Sequence, residues 1–106
     1  MIVRRWTGLA KLDREGDYVA HFREDVLPRL RPLAGFRGAT VLRQPQADGV
    51  AITVLTRWDS MEAIRAFAGS HPEVAGVAEA ARACFVSYDH TVSHHEVAVD
   101  ERKDPP

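Results

Sequence analysis

The chain has 106 residues, 45% of them hydrophobic, with 14 basic and 15 acidic side chains and a formal charge of -1 at pH 7. That length makes one domain burying roughly two thirds of its unfolded surface, and charges spread this evenly leave no basic face to neutralise phosphates, so nucleic acid is not an expected partner. No apolar run reaches the ~20 residues that span a bilayer, Met1 to Arg5 lacks the apolar core of a signal peptide, and the single cysteine allows no internal disulfide; a cytoplasmic protein without membrane contact is expected.

Met1 to Gly8 reads as a short strand. Asp13 or Asp17 can cap the helix that follows, whose apolar positions Val19, Phe22, Val26, Leu30 and Leu33 recur at helical spacing. Pro28 lies inside this helix and removes a hydrogen bond, so a bend is expected there, and Pro32 and Gly35 close it. Phe36 to Gln44 and Val50 to Trp58 are β-rich runs joined by Pro45-Gln-Ala-Asp-Gly49, which predicts an antiparallel hairpin. Asp59 or Ser60 caps the next helix, Glu62 is placed to complete a capping box from Asp59, and Gly69 stops it. Ser70-His-Pro-Glu73 forms a second box and predicts a short alanine-rich helix to about Ala83. Cys84 opens the next apolar run, where a buried, inert thiol is expected rather than a nucleophile. Phe85 to Val99 reads as one long strand, and residues 100–106 as a flexible charged tail after a domain of residues 1–99.

The order β-α-β-β-α-β is the ferredoxin-like α+β arrangement, with helices covering one face of an antiparallel sheet. In Val50-Ala-Ile-Thr-Val-Leu55 both alternating faces are apolar: Val50, Ile52 and Val54 on one side, Ala51 and Leu55 on the other. A sheet with one wet face should alternate cleanly, so a second copy of the sheet is expected to cover the other side. The run Tyr88-Asp-His-Thr-Val-Ser-His-His-Glu-Val97 holds three of the five histidines. If it is extended, His90, His94 and Glu96 share a face, but His90 and His94 stand about 13 Å apart, too far for one ion. No metal site is expected. The end of the strand instead makes polar contacts with a partner subunit, while His90, before that crossover, faces cavity or solvent.

Tyr18-Val-Ala-His21, Pro28, Gly35-Phe36, Leu55-Thr-Arg-Trp-Asp-Ser60, Ala63-Ile-Arg-Ala-Phe-Ala-Gly69, and Asp89 followed by His95-Glu-Val97 together resemble the antibiotic biosynthesis monooxygenase family, over nearly all of the chain up to Val99. The resemblance implies a dimeric α+β barrel: a homodimer joined through sheet faces and the C-terminal strand, with a cavity in each protomer between sheet and helices. Some such proteins oxidise aromatic polyketides with oxygen and no cofactor, and others degrade haem. Haem-degrading members use an asparagine on the first strand, a tryptophan on the helix after the Trp-x-Ser turn and a histidine further along. This chain has no asparagine, has Phe67 at the tryptophan position and places Val77 near the histidine position, so haem degradation by that mechanism is disfavoured, with His71 left as a haem ligand of a different kind.

Cofactor-free oxygenation needs a pocket that binds an electron-rich aromatic, takes its proton and holds the anion near oxygen. Histidine suits the proton step because its ordinary pKa lies near the working pH. His21 or His90 is the candidate base. Tyr18, one helical turn from His21, is the hydrogen-bonding partner, although both could be ordinary boundary residues. Trp6, Trp58 and Phe67 are candidate walls. Arg4 shares the face of Trp6 and either holds an anionic substrate or reaches solvent; His71 is a first-turn residue or a pocket residue. The competing reading is a non-catalytic dimer that binds a small apolar or aromatic molecule in the same cavity.

Overall fold

The opening strand, β1 (Ile2–Ala10), becomes an interior strand of a five-stranded antiparallel sheet. The computed structural model describes residues 1–104. One edge of β1 pairs with β3 (Gly49–Trp58) along its whole length, from Ile2 opposite Trp58 to Ala10 opposite Val50. β3 pairs in turn with β2 (Phe36–Gln46), and Ala47-Asp48 makes the hairpin turn. Pro45 lies within β2 and is tolerated because β2 is the sheet's edge, where a missing N–H breaks no ladder bond on the open side. The other edge of β1 takes β4 (Phe85–Tyr88) and β5 (Ser93–Glu96). The ferredoxin-like order holds.

The final strand is interrupted, contrary to the expected single run from Phe85 to Val99. Tyr88 sits opposite Gly8 and Ser93 opposite Arg5, so two residues more than the ladder needs are looped out between them. An even-numbered shift preserves the side-chain faces, and Arg4 lies directly across from His94. The looped-out backbone finds other partners. Asp89 N donates to Thr7 O (3.0 Å), Val92 N to Glu73 O (2.8 Å), and His90 O accepts from Ala75 N (2.9 Å). Val74 forms an isolated bridge with Thr91. Residues 71–74 close a single turn, with Val74 N donating to His71 O at 3.1 Å, and its continuation is tied to residues 90–92 instead, so Ser70–Glu73 opens no helix: the expected alanine-rich helix is reduced to α4 (Glu79–Arg82).

The first helical run is α1 (Glu15–His21), a π-helical turn at Phe22–Val26, then α2 (Leu27–Leu30). The disturbance expected at Pro28 takes the form of that π turn just ahead of it, where Leu27 N bonds Phe22 O five residues back. Neither Asp13 nor Asp17 caps the helix. Arg14 holds the N-cap position, and its Nε pairs with Asp17 at 2.7 Å. α3 (Met61–Ala68) is capped by Ser60, whose Oγ accepts from Ala63 N at 3.2 Å. Asp59 therefore completes no box with Glu62 and instead takes a two-pronged bond from Arg37.

Tyr18 and Phe22 from the first helical run pack on Trp6, Val50, Ile52, Val54 and Phe85, with Cys84 buried as a free thiol beside them. Leu30, Trp58 and Ile64 form a second cluster. The other face of the sheet is part-exposed and mixes Leu42, Ala51 and Leu55 with threonines. Residues 97–104 have neither helix nor strand; of the expected tail, 105 and 106 lie outside the described residues. Among the described residues, no helix is long and apolar enough to cross a membrane.

Gly35 has φ +83°, and a Cβ there would lie 2.6 Å from the Ala63 Cβ. Gly35→Ala should cost about 1–3 kcal/mol of stability through backbone strain and this clash. Gly16, in α1, has open space around it, so Gly16→Ala should cost nothing or stabilise by up to about 1 kcal/mol. Urea midpoints of the two variants against the parent check both signs.

Candidate functional site

Between the first helical run and the sheet lies a cavity of about 270 Å³. Its floor is Arg4 and Trp6 of β1, Val54 and Thr56 of β3, and Val92 from the looped-out segment. Trp6 faces Val54 and Arg4 faces Thr56 across the ladder, which sets all four on one side of the sheet. The roof is Tyr18, His21, Phe22, Asp25, Val26, Arg29 and Leu30; residues 75–78, Ala81 and Phe67 close the sides.

Five of the residues singled out in the sequence meet here: Arg4, Trp6, Tyr18, His21 and Phe67. Trp58 stands one layer behind. It is fully buried, stacks on Phe67 at 5.1 Å between ring centroids, and donates from Nε1 to Thr56 Oγ1 at 2.9 Å, so it braces two lining residues without touching the space itself. His90 lies outside. It is exposed, with its ring edge-on to Tyr88, because the looped-out backbone turns it away from the sheet face it was expected to share with His94. His71 is also exposed and outside the cavity, 3.5 Å from Glu73.

Asp25, Arg29 and Thr56 were not anticipated. The first two were legible, since Asp25 follows His21 by four residues and Arg29 follows Asp25 by four, which keeps all three on one helical stripe. His21 Nδ1 lies 3.0 Å from Asp25 Oδ2, with side-chain exposures of 17% and 59%. A carboxylate at that distance accepts the Nδ1 proton, leaving Nε2 as the ring's free acceptor. Burial, with a smaller contribution from Cys84, pushes the Tyr18 phenol above its usual pKa, so it stays a neutral hydrogen-bond donor at physiological pH.

Arg4 is the half-buried cation of the cavity floor. Its Nη2 donates to the carbonyls of Pro72 and Val74, both at 3.2 Å, and its guanidinium lies 5.8 Å from the centre of the Phe67 ring. Burial lowers its pKa, although guanidinium stays charged. Among the described residues no carboxylate pairs with it, and its Nε is buried without a partner. Across the ladder, His94 Nε2 is likewise buried and unpartnered. Among the described residues, no three His, Cys, Asp or Glu side chains converge in a way that could hold a metal ion.

A family model described as antibiotic biosynthesis monooxygenase matches residues 2–84. Among solved structures, a Bacillus cereus protein assigned by name to the antibiotic biosynthesis monooxygenases is similar at a TM-score of 0.67 and 21% identity, over 97% of this chain and 98% of that one. A mutant of MhuD with two manganese protoporphyrin IX bound per active site is similar at a TM-score of 0.62 and 18% identity, over 97% of this chain and 100% of that one. At these identities the likeness concerns the fold. No protein of curated function matches the sequence.

Desolvation, then the charge of Arg4, lowers the pKa of His94 below its ordinary 6.5; His95 and Arg65 add to this and Glu73 opposes it. The unfolded chain therefore takes up this proton at higher pH than the folded protein. His94 contributes stability that is complete above about 6.5 and is lost as pH falls from there toward the lower folded value. Replacing it by glutamine should flatten the drop in melting temperature between pH 7.5 and pH 5.5. An unchanged slope in His94→Gln would show that the imidazole is as well solvated folded as unfolded.

Proposed function

The chain belongs to the antibiotic biosynthesis monooxygenase family, and from that premise we propose that it oxidises a small electron-rich aromatic, polyketide-like or quinol-like, with molecular oxygen and no cofactor in the cavity beneath α1 and α2. The observation that carries this reading is the His21–Asp25 pair in the roof facing a floor that holds the unpaired cation of Arg4. Asp25 fixes the tautomer, and His21 Nε2 takes a proton from the acidic carbon or hydroxyl of the substrate. The anion formed is favoured by the charge of Arg4 and by a hydrogen bond from Tyr18. It passes an electron to oxygen, the two radicals combine into a peroxide anion, and the imidazolium of His21 returns its proton to give a hydroperoxide. For an anthrone, loss of water from that hydroperoxide leaves the quinone: one oxygen atom enters the product, and the other leaves as water with both hydrogens of the oxidised carbon. Trp6, Phe67 and Val54 are the apolar walls, Trp58 braces Phe67, and His71 and His90 take no part.

A porphyrin is the less favoured ligand. The cavity of about 270 Å³ is below the ~300 Å³ at which pockets for drug-sized ligands begin, and Val77 occupies the wall where haem-degrading relatives were expected to present histidine. No step is therefore routed through haem. We further propose a cytoplasmic homodimer, joined through the part-exposed sheet face around Leu42 and Leu55 and through the C-terminal strand, with residues 100–106 as a flexible tail. The partial exposure of these leucines supports it.

Protein free of flavin and metal should speed oxygen uptake by an anthrone or dihydroxy-aromatic. His21→Ala should lose about a hundredfold or more, Asp25→Asn less, and His90→Ala nothing. A wild type that matches the buffer blank but binds these compounds at micromolar concentration would instead be a non-catalytic binder, a role the mainly apolar lining also suits. Light scattering should give twice the 11.8 kDa chain mass, and Leu55→Lys should shift the protein toward monomer. A wild type that stays folded and monomeric at micromolar concentration sinks the sheet-on-sheet assembly.

A further inference from the structure

Thr56 is the only serine, threonine, amide or charged residue among those described that is buried. Its Oγ1 accepts from Trp58 Nε1 at 2.9 Å, which occupies one lone pair. The hydroxyl also carries a proton, and an indole N–H can only donate, so Trp58 cannot take it. The neighbours of Thr56 cannot take it either. β3 is paired on both sides, so its backbone carbonyls are engaged in the ladders. Across those ladders Thr56 faces Arg4, whose guanidinium has donors only, and Ala39, whose side chain has no polar atom. What remains is the cavity, whose floor Thr56 helps to form. A donor held there with nothing to accept from it is costly.

We propose that Thr56 sets the specificity of this cavity by donating its hydroxyl proton to a ring carbonyl of the ligand, so that an aryl ketone is recognised where a hydrocarbon of the same shape is not. This rests on the cavity being the ligand site but not on oxidation taking place there. The ladder sets the donor apart from the base. Arg4 and Thr56 form one rung, and Trp6 and Val54 form another on the same face, two residues or roughly 7 Å along the strands. Tyr18 lies 6.1 Å from Trp6 and 6.3 Å from His21 between ring centroids. Phe67 marks the other end, stacked on Trp58 and 5.8 Å from the Arg4 guanidinium. A ring laid along the floor therefore meets Thr56 at one end and approaches Tyr18 and His21 at the other. An anthrone suits this arrangement, because its carbonyl and its acidic carbon stand on opposite sides of the central ring. When that carbon gives its proton to His21 Nε2, negative charge moves onto the carbonyl oxygen, and the bond from Thr56 strengthens with it.

Calorimetric titration of the full chain with α-tetralone and with tetralin, which differ by one carbonyl, tests it. Thr56→Val should weaken tetralone about fivefold to tenfold, the worth of one neutral hydrogen bond, and leave tetralin unchanged. Thr56→Ser, which keeps the hydroxyl, should bind both as the parent does. Tetralin reports any merely structural effect, because the valine variant strands the Trp58 N–H whichever ligand is bound. If that variant does not fold, Thr56→Val combined with Trp58→Phe, which removes the stranded donor as well, is compared with Trp58→Phe alone. Tetralone affinity untouched by valine, an equal loss for both ligands, no binding of tetralone by the parent, or a ketone advantage that vanishes in Tyr18→Phe and survives Thr56→Val would each overturn the assignment. A loss confined to tetralone in a protein that takes up no oxygen keeps Thr56 and removes the oxygenase; oxygen uptake with no such loss does the reverse.

Discussion

The Trp6 indole donates to the Asp89 carbonyl at 2.7 Å, and this bond ties down the place where two residues are looped out of the sheet between β4 and β5. Two extra residues between β4 and β5 leave backbone donors and acceptors that the ladder cannot use. Buried main-chain groups must find partners or the fold loses free energy comparable to the bonds forgone. Here the partners are β1, through Thr7 and Trp6, and residues 73–75. Those few bonds turn a sheet edge into a wall, because drawing 73–75 across to 90–92 places the segment that follows, 75–78, at the side of the cavity.

The same constraint governs Arg4. Its guanidinium is anchored by the carbonyls of Pro72 and Val74, which are free to accept because this segment makes one turn and a bridge rather than a helix. Had Ser70–Glu73 opened a helix as its composition suggests, the Pro72 and Val74 carbonyls would have turned inward to intrahelical donors. Arg4 would then have had no fixed position. A regular edge and a regular helix were exchanged for a lined cavity holding an oriented positive charge.

The roof shows a related trade on a smaller scale. Pro28 cannot donate to the turn before it, and the helical run absorbs this as a π turn at Phe22–Val26. Such turns widen the helix locally and are frequent where side chains have work to do. His21 lies just before it, Asp25 within it and Arg29 after it, and all three reach the same space. The polar groups of the cavity therefore come from this irregular helical layer and, below, from Arg4 and Thr56.

Much of this was written locally. Alternation with a Pro-Gln-Ala-Asp-Gly turn is enough to set the β2–β3 hairpin, helical spacing of Phe22, Val26 and Leu30 sets the core-facing stripe, and Tyr18 and His21 share a face because they are a turn apart. These are short-range consequences of backbone geometry, so the sequence alone determined them, and with them the ferredoxin-like order. What it could not determine is which of two equally apolar places a residue lines. Trp58 follows Val54 and Thr56 on one face of β3, yet it falls in closed core while they border space; what lies above each position decides that, and the first helical run that roofs Val54 and Thr56 lies far away in the chain. Nor could local preference reveal the break at residues 89–92 or the loss of the expected helix after Ser70. Each depends on the other through bonds between segments about 17 residues apart, and only the tertiary structure, where every buried N–H and C=O must be matched at once, settles such a pairing.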